Sequence, residues 1–128
     1  MKRSVECLFK LGDKVLCKSF IKPSGFSFEQ SEDGDKCVLT NSKTGYVGPE
    51  IDEFEVCDRY ERVEKRFEGV FVGVTTLNTK LTAEYHDDPY CAPGFHCYTG
   101  SPKQFAVVYY ANNKKRYVPI EDIEKISG

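Results

Sequence analysis

Along residues 103–126, KQFAVVYYANNKKRYVPIEDIEKI, apolar and aromatic side chains crowd into two short runs on either side of an Asn-Asn pair. Residues 105–110 are rich in β-branched and aromatic types, Asn112 and Asn113 suit the positive φ angles of a two-residue turn, and residues 114–118 resume an extended pattern. The spacing predicts a β-hairpin. In that register Tyr109 faces Arg116, Tyr110 faces Lys115 and Val108 faces Tyr117, with Arg116 placed to stack on Tyr109. Both faces of the first run carry large apolar groups, which predicts a central strand covered on both sides. Pro119 removes a ladder donor, so residues 120–123 are expected to form a short helical turn before the chain extends again to Ile126.

Residues 67–76, FEGVFVGVTT, predict a second strong strand with Val70, Val72 and Val74 on one face and Phe71 opposite. Gly69 and Gly73 permit a bend or bulge within it. LTAEY, residues 81–85, is a third strand candidate, and residues 86–102 read as a long excursion with a short strand at 95–98. The first half echoes this plan. FKLGDKVLCKSF opens as FEGVFVGV does, and VLTNSKTGYVGPEIDEFEV parallels VVYYANNKKRYVPIEDIEKI, which points to an internal duplication. The expected fold is therefore mainly β, with one or two small barrels: an N-terminal module over 1–58 and a C-terminal one over 66–128. Between them Ile51, Phe54, Cys57, Tyr60 and Val63 recur every three residues, fitting either a short helical connector or a helical turn followed by a strand.

A chain of 128 residues suits one ordinary domain or two very small ones. Its 18 Lys and Arg against 20 Asp and Glu give a net charge of −2, with no overall pull toward nucleic acid or anionic lipid. Cutting after Glu64 leaves 10 against 13 in the first half and 8 against 7 in the second, a difference too small to decide anything. No apolar run reaches the ~20 residues needed to span a bilayer, and the opening MKRSVECLFKLGDK lacks a secretory hydrophobic segment. A cytoplasmic protein is expected, with no membrane partner and its six cysteines reduced. Cys7, Cys17, Cys37 and Cys57 then read as small buried apolar residues.

GDKV, residues 12–15, and RYVPIEDIEKI, residues 116–126, resemble SH3-like small barrels, in which a final hairpin leads through a short helical turn into a closing strand. The resemblance covers about sixty residues of the second half and, more faintly, most of the first. It implies a barrel that hosts binding to protein or nucleic acid. The proline-rich groove of peptide-binding SH3 domains is not implied. The chain has no Trp, and Ile120 and Ile123 stand in the turn where that family pattern would carry Tyr.

The densest cluster of reactive side chains is HDDPYCAPGFHC, residues 86–97. One structural zinc ion is a candidate occupant, held by His86, Cys91 and Cys97 and completed by Asp87, Asp88 or Cys57. Neighbouring His96 and Cys97 point to opposite faces of an extended strand, so only one of them would join Cys91. A metal would offset the ordering entropy of a long loop with few apolar side chains. The alternatives are a loop tucked onto the barrel with solvated histidines, or redox pairing of Cys91 with Cys97. Neither a nucleophile beside an oriented base nor a glycine-rich phosphate loop is apparent, so no enzymatic activity is expected. Paired carboxylates such as Asp87-Asp88 and Glu121-Asp122 read as solvated.

Tyr109, Tyr110, Lys114, Lys115, Arg116 and Tyr117 concentrate charge and stacking surface on the hairpin and are the candidate partner-binding residues. Acids close by at Glu121, Asp122 and Glu124 oppose a nucleic-acid reading. With 8 Tyr and 9 Phe, the chain has more aromatic side chains than two tiny cores need, and Tyr is enriched at interfaces. The function expected is non-enzymatic binding of another protein. Compact acidic inhibitors encoded by phages and mobile elements, including anti-CRISPR proteins, are similar in size and charge. An SH3-like nucleic-acid-binding module is the alternative.

Overall fold

The computed structural model describes residues 9–87 and 93–126. Strand makes up 70% of it and helix 3%, so the protein is mainly β. In chain order the elements are β1 (Lys14–Cys17), β2 (Phe20–Pro23), β3 (Phe26–Gln30), β4 (Cys37–Asn41), β5 (Tyr46–Glu50), β6 (Phe54–Asp58), β7 (Tyr60–Val63), β8 (Phe67–His86), β9 (Gly94–Ala111), β10 (Lys114–Pro119), a 3-10 turn (Ile120–Asp122) and β11 (Ile123–Lys125). One sheet runs β11-β1-β8-β9-β10-β2-β7, with β6 also pairing β8; β3, β4 and β5 form a second.

Contacts divide the chain into two compact units. Unit 1 takes the residues up to Lys22, Glu61–Leu77 and those from Pro102 onward; unit 2 takes Pro23–Tyr60 and Asn78–Ser101. Neither is continuous in sequence, because β8 and β9, 20 and 18 residues long, each contribute to both.

In unit 1, β1 alternates Val15 and Cys17 inward, and each lies directly across from a β8 residue on the same face: Val15 from Gly69, Cys17 from Phe67. That pairing turns the odd-numbered face of β8 toward the core there, so Phe71 is buried and Val70, on the opposite face, exposed. Val74 packs against the same core, so the inward face changes from odd to even positions across Gly73. Gly69 is required by close approach: a Cβ there would lie 2.4 Å from Val108 Cγ1 and 2.5 Å from the Tyr109 carbonyl oxygen. Phe9, Val15, Cys17, Phe71, Ala106, Val108, Val118 and Ile123 form one buried cluster. Because β11 and β10 both feed it, the sheet of unit 1 wraps around its own core. A fully buried Val such as Val108 contributes about 1.5 kcal/mol.

The β9–β10 hairpin forms, with a correction to its register. Of the two turn asparagines Asn113 alone, at φ 58°, takes a positive φ, and a bulge lies between Lys114 and Lys115. Beyond it Lys115 pairs with Tyr109, Arg116 with Val108 and Tyr117 with Val107, each one position from the expected partner. One extra residue in one strand reverses the faces presented from there on.

Unit 2 has a smaller core of Cys37, Ala83 and Phe95, flanked by Phe28, Ile51 and Tyr85. Buried Asn41 supplies much of its local order: its Nδ2 donates to the Ser24 carbonyl at 3.3 Å, and its Oδ1 accepts from the N–H groups of Lys43 at 2.9 Å and Thr44 at 3.3 Å, closing the β4–β5 turn. Of residues 51–63, expected to form a helical connector or a helical turn followed by a strand, 54–58 and 60–63 are strand and none is helix. Phe54, Val56 and Asp58 pair with Glu84, Thr82 and Lys80 of β8, so the apolar stripe is an edge-strand pattern. The excursion expected over 86–102 is likewise replaced from Gly94 onward by β9, while residues 88–92 lie outside the described residues.

Candidate functional site

The bulge sorts the six candidate partner-binding residues onto two faces. Tyr109, 44% exposed, lies across from exposed Lys115, and Lys114 is exposed beside the turn. Tyr117 is half-buried, with Lys115 Nζ 5.7 Å from its ring centroid. Arg116 is turned to the other face, across from the core residue Val108. Its guanidinium carbon lies 3.9 Å from the Tyr110 ring centroid, 4.0 Å from that of Phe20 and 4.8 Å from that of Phe67. Phe67 meets both Phe20 and Tyr110 edge to face with centroids 5.9 Å apart, so the three rings form a cage that the guanidinium fills. Tyr110 and Arg116 therefore serve unit 1's own packing, and the stack expected on Tyr109 is made on Tyr110.

Asp122, expected to be solvated, is buried. Its Oδ2 accepts a 2.5 Å hydrogen bond from the hydroxyl of fully buried Ser19 and lies 2.7 Å from Arg62 Nη2, while its carbonyl accepts from the Lys18 N–H at 2.9 Å. Its neighbour Glu121 stays at the surface, 3.2 Å from Lys103 Nζ.

Of the expected zinc ligands, Cys97 lies near enough to Cys57 to act on its thiol, whereas His86 has other neighbours. His86 meets His96, their ring centroids 4.7 Å apart, and His86 Nε2 lies 3.4 Å from Glu84 Oε2. Cys97 faces elsewhere: it accepts a 3.2 Å bond from Gln30 Nε2 and interacts with the Cys37 thiol. Cys91 and Asp88 lie outside the described residues, and among those described no three His, Cys, Asp or Glu side chains converge to hold a metal ion.

Cys17, Cys37 and Cys57 are buried, while Cys97 is exposed; Cys7 lies outside the described residues. Burial pushes the Cys17 thiol up from 9.0 to about 11, with nearby Arg116 pulling weakly the other way. Burial, followed by the neighbouring Cys97, pushes Cys37 up to about 11. Burial and then Asp58 and Glu55 raise Cys57. These thiols are held protonated and poorly nucleophilic at neutral pH. Below pH 9 the thiols are protonated in both the folded and unfolded chain and their contribution to stability is fully present. Between pH 9 and about 11 the unfolded thiols ionise first, so stability falls through that window. Melting temperatures taken across it are expected to decline less steeply in Cys17→Ala and Cys37→Ala than in the parent.

Charge divides by unit rather than by chain half. Among the described residues, unit 1 has 12 Lys and Arg against 7 Asp and Glu, a net +5; unit 2 has 4 against 11, a net −7. In unit 1, Lys18, Arg62, Glu64 and Arg66 line a cavity of about 280 Å3. In unit 2, Glu53, Glu84 and Asp87 join Phe54 and Tyr85 around one of about 440 Å3. The Tyr98 hydroxyl donates to Glu84 Oε2 at 2.9 Å. Sequence reading missed this acidic, aromatic surface because β8 and β6 had to be paired before its members met. No helix among the described residues is long and apolar enough to cross a membrane. Comparison with models of known families, with curated proteins and with solved structures finds no match.

Proposed function

We propose that the protein is a non-enzymatic binding protein, with unit 1 an SH3-like barrel and unit 2 an acidic surface directed at a basic partner protein. The observation that carries this reading is the −7 charge of unit 2 within a chain whose overall charge is only −2. A field of one sign over a small unit speeds encounter with an oppositely charged partner and selects against acidic ones. The strand order β11-β1-β8-β9-β10, with a 3-10 turn between β10 and β11, supports the SH3-like assignment. An inhibitor of a host defence protein, in the manner of anti-CRISPR proteins, is one role such a surface would fit.

The test is capture by immobilised full-length protein from the lysate of its own biological source or of that source's host. It is compared with a variant carrying Glu29→Gln, Glu32→Gln, Asp52→Asn and Glu55→Gln. A discrete basic protein held at ~150 mM salt and lost in the neutralised variant supports the reading. Equal capture by both proteins counts against it. A second reading, nucleic-acid binding through unit 1, is favoured by its +5 charge and by Tyr109, Lys114 and Lys115 lying outward. Salt-dependent retention of a single-stranded oligonucleotide, lost in Lys114→Ala/Lys115→Ala, would support that alternative. Arg116 is left intact in that variant, since its replacement would disturb the cage.

A further inference from the structure

β6 is an edge strand. Its ladder is with β8, and the nearby β3 approaches it without pairing. Such an edge offers backbone N–H and C=O groups to another extended chain, and natural proteins ordinarily blunt it with charge or cover it. Here, besides Glu55 and an Asp58 whose carbonyl already accepts from the Ser24 hydroxyl, it carries exposed apolar side chains. Phe54 is 58% exposed and Val56 43% exposed, and two residues of spacing put them on one face. The same face holds their β8 partners Glu84 and Thr82, with Tyr98, 46% exposed, bonded to Glu84. At the Phe54 end lies the 440 Å3 cavity, lined by Glu53, Phe54, Glu84, Tyr85 and Asp87. At the other end Asp58 is already neutralised by Lys80.

We propose that this edge docks an extended basic segment of a partner protein by strand addition. The segment would pair with the outer edge of β6, set alternate apolar side chains against Phe54 and Val56, and place a Lys or Arg in the acidic cavity. Main-chain bonds would supply affinity and the alternating side chains specificity. The cavity suits a cationic side chain because Glu53, Glu84 and Asp87 are there to take its charge while exposed Phe54 covers its stem. Charge complementarity names the occupant, since Glu53, Glu84 and Asp87 disfavour an acidic segment and the −7 unit draws a basic one. This inference rests on the protein-binding reading and adds the place and the partner's form.

The test uses the full chain and a fluorescent peptide of about eight residues alternating Lys and Val, able to add as a strand. A peptide of equal charge interrupted by Pro cannot complete the ladder. Anisotropy at ~50 mM salt is expected to show the alternating peptide binding about tenfold more tightly than the Pro-interrupted one. It is also expected to show about tenfold loss in both Phe54→Ser/Val56→Ser and Glu53→Gln/Asp87→Asn, exposed changes whose folding is checked by melting. No binding, equal binding of the two peptides, or indifference to Phe54→Ser/Val56→Ser would overturn the proposal. Self-association abolished by that same double change would also overturn it, by assigning the edge to a second copy of the chain. The outcomes separate from the parent reading: if the peptides fail while lysate capture still depends on the acids of unit 2, the β6 site alone is wrong.

Discussion

Asp122→Ala is expected to destabilise the protein by about 3 kcal/mol, near the low end for breaking a buried charge pair. The carboxylate accepts from Ser19 inside unit 1 and pairs with Arg62, so its loss strands a buried hydroxyl and releases a guanidinium. Arg62 is half exposed and can turn to water, which is why the loss does not reach the upper end of the range. Asp122→Asn keeps an oxygen for Ser19 but removes the charge, and its cost should be about half as large. Urea unfolding is the measurement. With a slope of ~1–3 kcal/mol/M, the alanine variant's midpoint should fall by roughly 1–3 M with the slope unchanged. A change within about 0.5 kcal/mol, the scale of ordinary surface substitutions, would remove Asp122 from the structural role given to it.

Arg116→Ala is expected to cost about 2–3 kcal/mol, from three cation–ring contacts of ~0.5–1 kcal/mol each and the void left among the rings. Phe20, Phe67 and Tyr110 would have to close over space the guanidinium now fills. Arg116→Lys should recover only part of this, because an ammonium is compact and cannot stack as a plane. Arg116→Met keeps the stem and some packing but no charge, and should fall between lysine and alanine. Lys114→Ala/Lys115→Ala, immediately before it in sequence but outward, should stay within about 0.5 kcal/mol of the parent. Equal effects from the two alterations would mean that the cage is not what holds the hairpin.

The extended segments richest in β-branched and aromatic residues were legible: 67–76, 105–110, 114–118 and the turn after Pro119 all stand where the spacing places them. What escaped has physical causes. A bulge at Lys114/Lys115 leaves no compositional mark, yet it transfers Arg116 from the outward face to the core side. The polar start of β9 before Pro102 resembles loop because that strand surface is largely exposed, whereas the strand read at 81–85 is part of β8. Asp122 is buried by Ser19, 103 positions earlier in the chain, and no local pattern reports so distant a partner. The acidic surface escaped for a related reason. Charges counted by chain half mix two segments of unit 2 with three of unit 1, and the excess cancels.

The pairing of β1 with β11, Val15 against Lys125, sets a condition on synthesis. The first strand is made early, but the neighbour that completes its outer ladder follows about 100 residues later in the sequence. At ~5–20 residues per second, about 100 further residues take roughly 5–20 s, during which the nascent chain holds apolar segments without their final shelter. A protein of this topology should therefore complete its first strand's ladder late, and its yield should respond to chaperone supply and growth temperature more than its finished stability would suggest.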